Sequence, residues 1–223
     1  MPLGVRRTLG GLAKGLRQGH SLKSLGCLAV DLRARPLIPK ITQFFKKILK
    51  SRINMSVLVV LAHPNLAHSR VNKALREALS STGVEVSDLY ALYPDFKINV
   101  ASEQDKLVKA KHIVLQFPMF WYSCPALLKQ YFDDVLTYGF AYGSKGKALE
   151  GKGLGLAISL GAREGDFQGK FSLESVLTPF RAISHFIGTK YAAPFLTYDT
   201  GNLSDTALQA QARGYQEWVK GLA

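Results

Sequence analysis

From residue 56 onward the chain alternates two hydrophobic rhythms. Short unbroken apolar runs are each followed by stretches whose apolar residues recur three and four positions apart. VLVVLA (Val57–Ala62) is a run of strand length with no polar face. Such a run suits a parallel strand covered on both sides. The next stretch predicts a helix over Ser69–Ser81, with Ser69 as N-cap and Gly83 as stop. VEVSDL (Val84–Leu89) predicts a second strand, and a polar loop with Pro94 leads to a helix over Ser102–Ala110. HIVLQF (His112–Phe117) is the third strand. Pro125 suits the first turn of a helix predicted to reach Tyr138. A fourth strand over Gly153–Leu160, a helix over Ser172–Phe186, a fifth strand over Lys190–Tyr198 and a helix over Ser204–Leu222 complete the pattern.

Five strand–helix units of this length predict an α/β three-layer sandwich, with a five-stranded parallel sheet and helices on both faces. Right-handed crossovers leave few topologies, and strand order 2-1-3-4-5 is the common one. Ligands then sit beyond the carboxyl ends of strands one, three and four. Those three loops are the ones to read for chemistry.

Charge divides the chain in two. Residues 1–54 hold 12 of the 29 Lys and Arg and one acid, Asp31, a net +11. The rest carries 17 basic and 15 acidic residues, a net +2. The overall +13 therefore belongs mostly to the first quarter, not to the folded body. Residues 55–223 are expected to form the domain and residues 1–54 to lie outside it. Within that extension Ile38, Ile41, Phe44, Phe45, Ile48 and Leu49 fall at helical spacing among Lys40, Lys46, Lys47 and Lys50. Three readings stay open: a basic transit segment, a membrane-surface helix, or a start codon placed too early, with Met55 the initiator. Basic residues after Met55 form no stripe with aromatics, so no nucleic-acid partner is expected. No run of about 18 apolar residues is present to span a bilayer. Cys27 and Cys124 fit no metal or disulfide pattern, which suits a reducing, cytoplasmic setting.

The loop after strand one, Ala62–Asn72, ends at a helix N-terminus, where free amides and the helix dipole favour a phosphate. It has neither the Walker lysine nor the glycines of a dinucleotide fingerprint. The loop after strand three, Gln116–Pro125, carries Phe120, Trp121 and Tyr122 in succession. Aromatic faces there suit a planar ring. The loop after strand four, Ser159–Gly169, has Gly161 and Gly165, which let backbone approach a ligand. His63 and His68 lack the further ligands a metal needs, so no metal is expected. Adjacent Asp133 and Asp134 point apart on a helix and make no catalytic pair.

LAHPN, SRVNKAL, DLYALYPDF (Asp88–Phe96), FPMFWYSCPALLKQYFDDVL (Phe117–Leu136) and GFAYG (Gly139–Gly143) occur in order. Together they resemble the flavodoxin-like NAD(P)H:quinone oxidoreductases, nearest the ancillary subunits of glutathione-regulated potassium-efflux systems. The resemblance runs from Ser56 to the C-terminus and excludes the extension. It implies a flavodoxin-like fold, bound FMN, NADPH or NADH as hydride donor, and two-electron transfer to a quinone through flavin N5. It implies that FMN phosphate is held at His63, Ser69, Arg70, Val71 and Asn72. The flavin ring would lie against Met119, Phe120, Trp121 and Tyr122, and its polar edge against Ser159, Leu160, Gly161 and Ala162. Tyr138 and Tyr142 would line the acceptor side. A homodimer and a potassium-efflux antiporter partner are further implications, with placement at the inner face of the cell membrane.

Two departures stand out. Family members often carry Thr-Thr-Gly-Gly where this chain has Ser159-Leu160-Gly161-Ala162, which removes a hydroxyl and stiffens the backbone. Better-known quinone reductases place a Tyr and a His just downstream, whereas this chain has Phe167 and no His over Gly165–Ser172. Besides the reductase, two other functions remain: a regulatory subunit that activates an antiporter, and an electron carrier like the small flavodoxins. The 17-to-15 charge balance lacks the acidic surface of the latter.

Overall fold

The computed structural model describes residues 57–222. The predicted basic helix and the Met55 start lie outside the described residues. Strands β1 (Val57–Leu61), β2 (Glu85–Asp88), β3 (His112–Pro118), β4 (Gly153–Ser159), β5 (Lys190–Tyr191) and β6 (Phe195–Thr197) form one parallel sheet. The order is β2-β1-β3-β4-β5, with β6 also paired to β4. The predicted order holds, and the fifth strand comes in two pieces. Pro194 lies between them and has no N–H for the ladder.

The helices are α1 (Arg70–Ala78), α2 (Leu89–Leu92), α3 (Val100–Lys109), α4 (Ala126–Val135), α5 (Leu173–Val176), α6 (Thr178–Phe186) and α7 (Asp205–Leu222). Each cap has a side-chain reason where one is present. Ser69 Oγ accepts from the Asn72 amide, and Asn99 Oδ1 accepts from the Ser102 amide. The helix predicted over Ser172–Phe186 is broken between α5 and α6, because Pro179 cannot continue the backbone ladder. The short α2 arises where Asp88 caps the end of β2, a turn that hydrophobic spacing does not announce.

The unbroken strand runs are explained by two cores. Val57 and Val59 of β1 pack with Val71, Leu75, Tyr215 and Val219 beneath α1 and α7. Leu58 and Val60 pack on the other face with Leu107, Leu127, Leu128 and Phe180 beneath α3, α4 and α6. All five β1 side chains are at most 2% exposed. Burial at about 2 kcal/mol per large apolar side chain makes this strand the centre of the domain's stability. Gly155 of β4 admits Trp218 of α7, since a Cβ there would meet the indole at 2.8 Å. Sheet topology then brings the loops after β1, β3 and β4 to one edge.

Candidate flavin site

The loop after β3 closes a two-residue turn. Phe120 N donates to Ser123 O at 3.1 Å, and Ser123 N donates to Phe120 O at 2.9 Å. The two residues at its tip, Trp121 and Tyr122, have φ of 50° and 60°. Asn-Gly is the pair this turn favours. Holding side chains with a Cβ there costs about 1 kcal/mol or more apiece. The turn is gripped from below, where Pro118 pairs with Ser159 and Met119 N donates to Ser159 O at 2.9 Å. Trp121 is 94% exposed and Tyr122 65% exposed, so the strain holds two aromatic faces out at the ligand edge. Phe120 is half exposed, and Met119 packs partly against the core.

The loop after β4 runs beside it. Leu160 is turned inward: its side chain is buried and its amide donates to Thr197 O at 2.8 Å. The missing threonine hydroxyl at this position therefore faces the core rather than the edge. The amides of Gly161 and Ala162 have no partner among the described residues, and the space beside Gly161 is open. Phe167 packs on Tyr198, with ring centroids 6.2 Å apart. Burial and the Glu164 carboxylate push the Tyr198 hydroxyl up from its usual range.

The loop after β1 supplies the third wall. A 3-10 turn over Leu66–His68 leads into Ser69 and α1. Asn72 N is taken by the Ser69 cap, while the amides of Arg70 and Val71 have no partner among the described residues. Val71 itself is buried, so only its backbone can meet a ligand. The Arg70 guanidinium bonds Leu203 O and pairs with Asp205 at 2.6 Å. Its charge reaches this edge already partnered.

The His63 Nδ1 accepts the Asn65 amide at 3.1 Å, which leaves the proton on Nε2 in the neutral ring. Burial pushes the His63 imidazole down, more than the Asp88 carboxylate pulls it up. Beside His63 a cavity of about 490 Å³ is lined by Lys73, Arg76, Asp88 and Tyr90.

A buried hydrogen-bond chain joins the walls. Asn72 Nδ2 donates to Ser159 Oγ at 2.7 Å. Gln116 Nε2 donates to Asn72 O at 3.0 Å, and Tyr215 OH donates to Gln116 Oε1 at 3.0 Å. Asn72, Ser159, Gln116 and Tyr215 are all nearly inaccessible. A single polar residue inside the apolar run HIVLQF is the sequence signal for Gln116; nothing in the last helix singles out Tyr215.

Tyr138 and Tyr142 stand apart from this edge within one chain. β3 and β4 are parallel, so α4 must carry the chain back to the opposite edge before residue 153. There Tyr142 packs on Phe186, with ring centroids 5.1 Å apart. Tyr138 is 70% exposed. Cys124 is half-buried, and burial pushes its thiol up, which marks an inert residue. No cluster of metal-ligating side chains occurs among the described residues.

A family model described as flavodoxin-like fold matches residues 55–219. The chain belongs to that family. It is 44% identical over 164 residues to the glutathione-regulated potassium-efflux system ancillary protein KefF of Klebsiella aerogenes, covering 72% of this chain and 93% of that one. Among solved structures it resembles general stress protein 14 of Treponema denticola in complex with FMN. That match has 40% identity and a TM-score of 0.73, covering 75% and 99% of the two chains. It also resembles an NADPH-quinone reductase of P. pentosaceus at 33% identity and TM-score 0.67, covering 74% and 97%.

Proposed function

We propose that this protein is an FMN-dependent NAD(P)H:quinone oxidoreductase. The observation that carries the reading is the strained turn that holds Trp121 and Tyr122 at the sheet edge. Strain of this kind persists only where the surrounding structure enforces it, and it clusters at ligand and active sites. The residues fit the cofactor. Free amides of Arg70 and Val71 at the α1 N-terminus suit a phosphate, and the aromatic turn suits a flat ring. The unpartnered amides of Gly161 and Ala162 would serve as donors to a ring's polar edge. FMN, when bound, supplies the two-electron chemistry between a nicotinamide and a quinone.

The chain's own part is binding, orientation and electrostatics. Ser69 and the free amides of Arg70 and Val71 would hold the phosphate end, with Asn72 bracing the turn from beneath and His63 beside it. Met119, Phe120, Trp121 and Tyr122 fix the ring plane and exclude water from one side. Ser159, Leu160, Gly161 and Ala162 would form the facing wall, and the free amides of Gly161 and Ala162 would stabilise negative charge at the ring edge. No side-chain acid–base pair or nucleophile is required. NADPH or NADH and then the quinone use one pocket in turn.

Tyr138 and Tyr142 join the acceptor side only if a second copy presents them, so the reading includes a homodimer. Residues 55–223 are the catalytic domain, a division supported by a family match that begins at residue 55.

Steady-state oxidation of NADPH and NADH with a benzoquinone acceptor tests the proposal. Turnover that depends on both FMN and quinone is expected. An FMN-loaded protein that turns over neither nucleotide would rule it out. The similarity to the potassium-efflux ancillary protein favours a second role, activation of an antiporter at the inner face of the cell membrane. Potassium efflux from cells carrying a matched antiporter, with and without this protein, decides that role. Equal efflux would end it.

A further inference from the structure

The cavity of about 490 Å³ beside His63 opens at the same edge of the sheet as the flavin site, between the loops after β1 and β2. Two links join it to that site. His63 stands in the loop that leads to the free amides of α1, and it lines the cavity. Tyr90 lines it from the other side, and the Tyr90 hydroxyl accepts the amide of Leu127, in the first turn of α4 just past the aromatic turn. An edge-on contact to Phe96, with ring centroids 5.8 Å apart, also pins Tyr90. A fixed aromatic wall suits a planar base.

Lys73 and Arg76 line the cavity from one face of α1. Both are exposed, and neither side chain has an ion pair among the described residues. Two carboxylates share the space. Asp88 is committed to capping α2, accepting the Ala91 amide at 3.3 Å, and Glu77 is exposed. Two cations one helical turn apart suit a phosphate monoester, whose oxygens take several charge-assisted hydrogen bonds at once. A nicotinamide dinucleotide that reaches the aromatic turn must lay its adenosine half to one flank. Along the loops after β4 and β6, Arg70 is paired with Asp205 and Arg163 with Asp166, and Lys170 lies over the Phe171 ring. Glu164 and Asp199 on that flank have no ion pair among the described residues. That flank repels a phosphate, and the His63 flank offers it cations.

We propose that this cavity binds the 2′-phosphorylated adenosine end of NADPH, with Lys73 and Arg76 on the phosphate and Tyr90 beside the base, and so selects NADPH over NADH. This rests on the reductase reading and adds to it the identity of the hydride donor.

The test begins with calorimetric titration of 2′,5′-ADP, 5′-AMP and inorganic phosphate into the full chain with FMN present. The first should bind more tightly than the second by about tenfold or more, the scale of charge-assisted bonds to one phosphate. Lys73→Ala/Arg76→Ala should remove that preference, and its circular dichroism should match the parent, since both positions are exposed on a helix. Glu77→Gln takes a competing carboxylate from the cavity and should tighten 2′,5′-ADP. In steady-state assays with a quinone, the double variant should raise the KM for NADPH about tenfold more than the KM for NADH. Equal affinity for the two adenosine phosphates overturns the proposal, as does a double variant that keeps the parent's preference. Inorganic phosphate that binds as tightly as 2′,5′-ADP marks a bare anion site and also overturns it. A lysine- and arginine-dependent preference in a chain that turns over neither nucleotide supports the cavity assignment and removes the reductase. Turnover of both nucleotides with equal KM does the reverse.

Discussion

Asn72 and Ser159 lie 87 positions apart, and the Asn72 side-chain amide donates to the Ser159 hydroxyl at 2.7 Å. This bond ties the first turn of α1 to the end of β4. Two walls of the candidate site are therefore joined directly. Gln116 and Tyr215 extend the tie to β3 and α7. Asn72→Ala leaves the Ser159 hydroxyl buried without its donor. We expect a loss of about 2 kcal/mol, the scale of a buried group left unsatisfied, which for a domain of this size lowers the Tm by about 6 °C. Ser159→Ala should cost less, and the double variant less than the sum, because the two share one bond. Thermal melts of the three proteins measure this.

The strained turn sets stability against binding. Trp121→Asn/Tyr122→Gly installs the pair that this turn prefers. Relief of about 1 kcal/mol per left-handed residue, about 2 kcal/mol in all, should raise the Tm by about 6 °C. The same change removes the aromatic faces, and FMN affinity should fall by about tenfold or more. Melts of the flavin-free protein and an FMN titration read the two effects separately. A variant that is both less stable and unchanged in FMN affinity would contradict the assignment.

Leu160 is the most visible departure from the family pattern, yet it is 1% exposed. Leu160→Thr would restore the usual residue type and bury an added hydroxyl among apolar atoms. We expect destabilisation of about 1–3 kcal/mol and no gain in FMN affinity. A titration showing tighter binding would place this side chain at the ligand after all.

His63 gives the flavin-free protein a pH dependence. Its folded pKa lies below the usual 6.5, chiefly through burial. Above 6.5 the ring is neutral in folded and unfolded chains alike, and it adds no slope. As pH falls through 6.5 the unfolded chain takes the proton first, so folding stability declines until the folded pKa is passed. His112 is lowered too, by burial and then by Lys111, and acts in the same direction. The Tm should drop between about pH 7 and about pH 5. His63→Asn should retain only part of that drop.

Much of the fold was legible because burial on two faces leaves a simple trace. Val57–Leu61 and Gly153–Ser159 read as strands since neither can afford a polar side. Ser69 and Pro125 announced their helices through local backbone chemistry. The break at Pro179 and the interruption at Pro194 were equally local, but the spacing of neighbouring apolar residues ran across both and masked them. The three site loops could be located from topology alone. What stayed hidden was long-range or conformational. No local pattern says that Tyr215 reaches Gln116, that Leu160 points inward, or that Trp121 and Tyr122 sit at positive φ. Nor does a motif say that α4 carries Tyr138 and Tyr142 to the opposite edge; that follows only once β3 and β4 are known to be parallel.

The most direct measurement is the absorption spectrum of the FMN-loaded full chain under argon, before and after NADPH or NADH and again after a quinone. Protein-bound flavin absorbance that bleaches with nucleotide and returns with quinone is the predicted result. A chain that retains no FMN, or a bound flavin that neither nucleotide bleaches, would contradict the account.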